Sequence, residues 1–436
     1  MLAKTSVAPG GLQGQVGAFL DTGVHTARCT GMIDPCPSPA ATRTEALNRL
    51  HRFVPAAGRE YASRRNYDLP DRGHPHVSQL SPYLRHRLIT EPEVIQAVLG
   101  RHSATAAEKF IQEVVWRTYW KGWLEMRPGV WGAYRQGLDR VLARAEKDAD
   151  LGAALARAEA GQTDIDAFNA WVRELVSTGY LHNHARMWVA SIWIFTLRLP
   201  WEAGADFFMR HLLDGDPASN TLSWRWVAGL QTRGKHYIAR SSNISKYTEG
   251  RHNPEWRLET GAAALEGPDH PVARPAPLGQ LPQPGLRTGV LLTEEDLSPG
   301  FILDALQDQP VAHAGLISVD SRSPRPMSPL VATFTRAAME DALARWASKL
   351  GRPAPLTPHV ADIVDWARAG GVEQIVAPFA PVGPAASALA ALQRALKDDG
   401  IVLVQVMRDW DRAAWPHATA GFFKFKAQIP NLIRGL

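Results

Sequence analysis

The sequence predicts a two-part α and α/β protein, an all-helical part followed by a Rossmann-like, doubly wound parallel-sheet domain. Three observations predict it. Residues 41–256 carry long amphipathic runs at helical spacing and almost no alternating strand pattern. Residues 257–287 are crowded with proline, including Pro268, Pro271, Pro275, Pro277, Pro282 and Pro284, with glycine between them, a composition that favours an extended linker. Residues 288–436 alternate short β-branched runs with helical stretches, as strands joined by crossover helices do.

Residues 1–40 read as a disordered extension. They lack a charged start followed by a clean apolar stretch, so a signal peptide is not expected. Cys29 and Cys36 are too few for a disulfide framework or an iron–sulfur cluster and read as inert thiols. No apolar run approaches the ~18 residues that span a bilayer. A cytoplasmic protein without membrane contact is expected. The helical part contains Ala106–Glu125, with Phe110, Ile111, Val114, Val115 and Tyr119 on one side and Pro128-Gly129 beyond its end. A second stretch, Ile165–Leu199, is closed by Pro200. In the last part, strands are expected at Gly289–Thr293, Ala314–Val319, Gln374–Ala377 and Ile401–Val406. Helices are expected at Leu330–Leu350 and Ala385–Lys397. No glycine-rich phosphate fingerprint and no P-loop is present.

The net charge of +5 is uneven. Residues 1–260 carry 32 Lys and Arg against 26 Asp and Glu, and residues 261–436 carry 16 against 17. Of those 32 cations 26 are Arg, the residue that grips phosphate in a planar fork. This favours a polyanionic partner, although ordinary surface charge accounts for it equally well.

Four segments carry candidate chemistry. In Leu212–Asn220, Asp214 and Asp216 flank Gly215, which lets the backbone approach closely, and Asn220, Trp224 and Trp226 follow. Alone, it also fits a solvated loop before a core helix. It lacks the further spaced oxygens and closing Glu of a calcium hand. In Thr178–Met187, His182 and His184 are not on one helix face, so a helical zinc pair is not expected, whereas Asn183 and Arg186 point the same way. In Phe110–Trp120, Glu113, Trp116, Arg117 and Trp120 share one helix side, either as a core carboxylate satisfied by arginine or as an acid lining an aromatic pocket. In Val77–Leu84, hydroxyls precede Pro82, which reads as a helix start that caps itself or binds phosphate. No metal site is expected.

Together, and in this order, these segments resemble the FAD-binding domain of the photolyase/cryptochrome family, from about Tyr61 to Tyr247. The resemblance implies FAD folded into a U inside the helical part. Tyr61 with Val77, Ser78, Gln79, Leu80 and Ser81 then holds the diphosphate and ribityl portion, Val77 standing where the family often has Thr. Arg117 and Asn183 line the flavin pocket. Arg186 pairs with Asp214 beside the isoalloxazine, next to Gly215. Asp216 contacts flavin or sugar, and Asn220 faces flavin N5. The implied activity is blue-light-driven repair of cyclobutane pyrimidine dimers in DNA by electron transfer from reduced flavin. In it Glu113 bonds the dimer carbonyls, Trp116, Trp120 and Trp226 wall the pocket, and Met187 packs on the dimer. Family members that repair (6-4) lesions usually carry His at the places of Asn183 and Met187, so the cyclobutane type is implied. Trp224 and Trp201 match two members of the family's tryptophan relay, with Trp131 or Tyr134 as candidates for the third. Two alternatives remain: a cryptochrome-like flavin photoreceptor without repair, and a degenerate flavin domain with a structural role. Gly289–Leu292 with Asp296-Leu297, and Thr419–Lys426, faintly resemble the opening and the close of the family's antenna domain. The resemblance therefore implies a circularly permuted antenna-like domain whose second chromophore, if any, is unidentified; an unrelated doubly wound domain is the alternative.

Overall fold

The computed structural model describes residues 39–436, so the expected extension over 1–40, with both cysteines, lies outside the described residues except for its last two positions. The helical part begins with α1 (Arg43–Phe53), α2 (Arg59–Arg64), α3 (Ser81–Arg85), α4 (Glu91–Leu99), α5 (Glu108–Glu125) and α6 (Gly129–Lys147). It continues with α7 (Ala149–Glu159), α8 (Asp166–Thr178), α9 (Asn183–Ser191), α10 (Trp201–His211), α11 (Pro217–Ala228) and α12 (Ser241–Tyr247). Local chemistry sets these boundaries. Thr90 and Glu93 form a reciprocal capping box on α4. Asp216 caps α11 by accepting from the Ser219 amide at 2.8 Å, and Pro217 occupies the first helical position.

The expected single run over Ile165–Leu199 is two helices and a π-turn. Gly179 takes φ 68° and ends α8, and Ile192–Thr196 extends α9 as a π-helix. The break is glycine-dependent: a Cβ on Gly179 would lie 2.6 Å from Leu213, whose amide bonds the Gly179 carbonyl at 2.9 Å. That contact brings the end of α8 against the Asp214 loop.

After residues 257–287, which hold no helix or strand, comes a five-stranded parallel sheet in the order β3-β2-β1-β4-β5. Its elements are β1 (Thr288–Thr293), α13 (Gly300–Ala305), β2 (Ala312–Leu316), α14 (Pro329–Trp346), β3 (Arg352–Thr357) and α15 (Val360–Gly370). They continue with β4 (Gln374–Pro378), α16 (Pro384–Ala395), β5 (Val402–Val406), α17 (Asp409–Ala414), α18 (Phe422–Lys426) and α19 (Ile429–Leu432). Four strands fall where the sequence predicts them. β3 does not, because Pro353 and Pro355 argue against a strand. The structure accommodates them at the sheet edge, where β3 pairs only with β2 and the register slips between His313 and Gly315.

In an open parallel sheet, ligands usually enter at the strands' carboxyl ends, where the winding reverses. Here the helical part fills that place. Glu294, Glu295 and Asp296 follow β1, and a buried alternating chain of charges runs from them into the helices. Arg408 pairs with Asp296 (2.5 Å), and Arg87 with Asp296 (3.2 Å), Asp411 (2.7 Å) and Glu91 (3.3 Å). Arg117 pairs with Glu91 and Asp216 (both 3.3 Å), Lys121 with Asp216 (3.1 Å) and Glu295 (3.0 Å), and Arg85 with Glu295 (2.7 Å). Each cation thus has at least one anion in contact, the condition under which buried charge is tolerated. The apolar core is also shared, since Phe110 and Tyr119 of α5 join one cluster with Val290, Leu292, Trp415 and Phe425.

One carboxyl at this seam lacks a full counter-charge. Burial pushes Glu125 up to about 7, although it accepts the Val382 amide and lies 3.6 Å from Arg274. The folded chain therefore holds a proton that the unfolded chain releases near 4.5, and this group's contribution to stability falls as pH rises from about 4.5 to about 7, by up to about 3 kcal/mol. Urea unfolding at pH 5 and pH 8 should show a smaller loss with pH in Glu125→Gln than in the wild type; equal losses would place the proton elsewhere.

Candidate functional site

The break at Gly179 positions the most definite cluster. Arg186, one turn into α9, forms a two-pronged pair with Asp214, Nη1 to Oδ1 at 3.1 Å and Nη2 to Oδ2 at 2.8 Å, and its Nε donates to the Leu181 carbonyl at 2.8 Å. Its guanidinium stands 5.9 Å from the centre of the half-buried Tyr180 ring. Asp214 holds the Arg186 guanidinium above its usual range. Three of five guanidinium N–H groups are spent, which leaves two donors on a fixed plane. Asn183, at the start of α9, is exposed, and among the described residues its amide makes no hydrogen bond. Met187 lies half-buried one turn further on.

Tyr61 is adjacent and buried, packed edge-on against Phe53 (5.9 Å) and Phe110 (5.1 Å), with its phenol pushed well up by burial and by Glu113. Glu113 is ion-paired to Arg65, and both side chains remain about one-third exposed, at 31% and 29%. The Arg65 carbonyl bonds His182 Nε2 at 3.0 Å, so α2, α5 and the α8–α9 junction meet here. Burial drives His182 down to about 3, hence neutral.

The other proposed cofactor contacts separate. Asp216 turns away from Asp214 into the seam, where burial opposes its ionisation but Lys121, Arg117 and Arg85 hold it far below the usual carboxylate range. Arg117 goes with it and also donates to the Arg85 carbonyl at 3.0 Å. Gly215 offers its carbonyl to Arg85 Nε at 2.8 Å. Asn220 is buried and donates its amide to the Ala205 carbonyl at 2.7 Å. In the Val77–Ser81 segment, Gln79 takes φ 51°, donates to the Gly73 carbonyl at 2.6 Å and accepts from Arg49 at 3.3 Å. Ser78 Oγ accepts a long 3.4 Å bond from the Leu80 amide, and Leu80 is buried. Val77 and Ser81 are half-buried, and Ser81 opens the five-residue helix α3 with no side-chain cap bond.

The aromatic residues also divide. Trp116 is stacked on Phe422 of α18, centres 3.6 Å apart and planes within 11°, and lies 5.2 Å from Trp120. Trp226 stacks on Tyr237 at 6.1 Å. Trp224 is buried against Phe208 (5.1 Å) and Gly204, where a Cβ would come within 2.3 Å of its ring. Gly204 lies one turn beyond Trp201, whose ring is 5.7 Å from Tyr134, itself 5.2 Å from the half-buried Trp131. Trp201 lines a cavity of about 610 Å³ with Arg198, Glu202 and Glu259.

Residues 110–255 match the family described as the FAD binding domain of DNA photolyase. Over those residues the helical part is similar to the photolyase/cryptochrome family. Over 215 residues the chain is 32% identical to a deoxyribodipyrimidine photo-lyase of Streptomyces griseus, covering 44% of this chain and 45% of that enzyme. Over 222 residues it is 33% identical to one of Thermus thermophilus, covering 51% and 50%. A solved class III photolyase of Agrobacterium tumefaciens is 28% identical, with a TM-score of 0.40 over 47% of this chain and 42% of that one. The chain thus spans about half the length of the curated relatives it matches.

FAD is accordingly the cofactor of this photolyase-type helical part. The donor set fits it: two unspent Arg186 N–H groups and the free Asn183 amide suit a ring rich in carbonyls and ring nitrogens. Four residues at these places escape sequence reading: Arg65 on Glu113, Tyr180 beside Arg186, and Lys121 and Arg85 on Asp216 and Glu295. Tyr180 was within reach as a motif member. Lys121 had a signal too, four residues after Arg117 on the same helix side.

Proposed function

We propose that this chain uses FAD in blue-light-driven repair of cyclobutane pyrimidine dimers in DNA. The observation that carries the reading is the Arg186–Asp214 couple with its unspent donors, together with a one-third-exposed Glu113 carboxylate that Arg65 ties to the same α8–α9 junction. Bound and reduced, FAD supplies an electron when excited. The protein's part is electrostatic and positional. Arg186, fixed by Asp214 and Leu181, presents positive charge to an anionic ring without having to reorganise. Asn183 and Asn220 offer donor and acceptor groups to its edge. Glu113, held by Arg65, presents its carboxylate oxygens as acceptors to the ring N–H groups beside the dimer carbonyls, and Met187 packs against the flipped base. The Arg-rich first part suits a DNA backbone. The names of the curated relatives support this reading.

The test is illumination of reduced protein with dimer-containing single- and double-stranded DNA. Dimers should disappear in light only, and Glu113→Gln should slow their loss at least tenfold while leaving FAD bound. No loss beyond the dark control would overturn repair.

One observation favours a second reading, a cryptochrome-like photoreceptor. Phe422 covers the Trp116 face assigned to the dimer, and α18 is tied down by the bonds Tyr119 Oη to the Ala420 carbonyl (2.7 Å) and Lys426 to Glu108 (2.8 Å). The Trp224, Trp201, Tyr134 and Trp131 series supports light-driven flavin reduction under either reading. Efficient photoreduction without repair, in both wild type and Phe422→Ala, would establish the photoreceptor reading.

A further inference from the structure

The loop between α2 and α3 carries a cluster that the flavin reading does not use. Asp68, His74 and Glu174 each place one ligand atom within 4.8 Å of the other two. Asp68 is fully buried and His74 nearly so, at 6%. Asp68 Oδ2 accepts from Trp171 Nε1 at 2.9 Å and from Arg251 at 2.8 Å, which fixes the carboxylate and leaves Oδ1 without a partner. His74 Nε2 meets Glu174 Oε1 at 2.8 Å, and its Nδ1 is also buried without a partner. The two orphaned atoms face each other across 3.6 Å. That gap exceeds hydrogen-bond range, yet it suits two donors each about 2.1 Å from a shared ion.

The charge balance points the same way. Two carboxylates against the Arg251 guanidinium leave a buried excess of one negative charge when the imidazole is neutral. The surroundings also have the form of a metal site's outer shell, with donors orienting the ligating carboxylate and a carboxylate in contact with the imidazole. His74 is held at φ 52°, an uncommon backbone state for histidine, so the loop keeps the ring in place at some cost.

We propose that Asp68 and His74 hold a divalent transition-metal ion of the zinc–manganese class, seated between Asp68 Oδ1 and His74 Nδ1, with Glu174 on the far ring nitrogen orienting the imidazole. An imidazole nitrogen beside a carboxylate oxygen suits these ions better than magnesium, which favours an all-oxygen octahedron. The site stands beside Tyr180, whose ring is 5.3 Å from that of His74, so the ion would pin the loop leading to Val77–Ser81 against the flavin side of α8 and α9.

The experiment uses the full chain, stripped with EDTA and freed of chelator. Zinc chloride or manganese chloride is titrated while the melting temperature is followed and bound metal is counted after dialysis, with magnesium chloride as control. About one zinc or manganese ion per chain is expected, with a higher melting temperature and no comparable effect of magnesium. Asp68→Asn and Glu174→Gln should each weaken binding by roughly 10- to 100-fold. His74→Asn, which tolerates the positive φ, should abolish it. Circular dichroism checks folding, and Glu174→Gln suffices if the His74 variant fails to fold. No retained ion, or equal affinity in all variants, would overturn the proposal.

Discussion

Arg186→Ala is expected to give a folded but nearly colourless protein. The wild-type side chain spends three N–H groups on Asp214 and Leu181 and has two unspent for the proposed flavin contact. Its removal takes away those donors and leaves Asp214 as a lone carboxylate, only 8% exposed, at the proposed flavin site. Truncating one member of such a pair costs about 3–5 kcal/mol, which if felt wholly in binding is a loss of roughly 10²- to 4 × 10³-fold in FAD affinity. Arg186→Lys should fall in between, because a point charge cannot make the fork. Asp214→Asn keeps the shape and loses the charge, and should weaken FAD less than Arg186→Ala does. Equilibrium dialysis of the apoprotein with FAD measures all four proteins. Unchanged affinity in Arg186→Ala would remove this couple from the flavin site.

Glu295→Ala is expected to destabilise the whole chain. It leaves Arg85 without its carboxylate and Lys121 with Asp216 alone, inside a seam whose members are nearly inaccessible to water. The expected loss is about 3–5 kcal/mol in urea unfolding, and Glu295→Ala combined with Lys121→Met should recover part of it, since removing both charges is milder than orphaning one. The seam is also acid-sensitive. Arg85 and Lys121 overcome the burial that opposes ionisation and bring Glu295 down to about 2, and Asp216 lies lower still. Carboxyls with folded values below their unfolded ones stabilise fully above the unfolded range and lose that contribution as pH falls through the folded one. The wild type should therefore weaken below about pH 4 and lose most of the seam's contribution near pH 2. A variant with unchanged urea midpoint at pH 7 would contradict the assignment.

The helical periodicity of 41–256 and the alternation after 288 made both layers legible, because each period reports a buried face directly. β3 was not legible, since its prolines obey an edge-strand rule that depends on a neighbour far along the chain. The split between Asp214 and Asp216 was half legible. Asp before Pro, with Ser three positions after Asp, is a helix-cap signal, and it predicts that Asp216 turns toward the α11 amides. What the sequence could not show is that Lys121, Arg117 and Arg85 would collect there. Those partners come from two segments, α3 and α5, whose meeting depends on the carboxyl end of β1. Likewise Glu113 was legible as an acid among indoles, but Arg65 was not legible as its partner, because nothing local links α2 to α5. The stack of Phe422 on Trp116 joins positions about 300 residues apart and was out of reach for the same reason.

The most direct test of the central claim, that the helical part is a flavin photochemical site, is the absorption spectrum of the purified full chain before and after blue light in the presence of a reductant. Flavin bands corresponding to about one FAD per chain, changing on illumination and abolished in Arg186→Ala, are the expected result. A colourless protein that takes up no FAD on reconstitution, or a flavin spectrum indifferent to light, would contradict it.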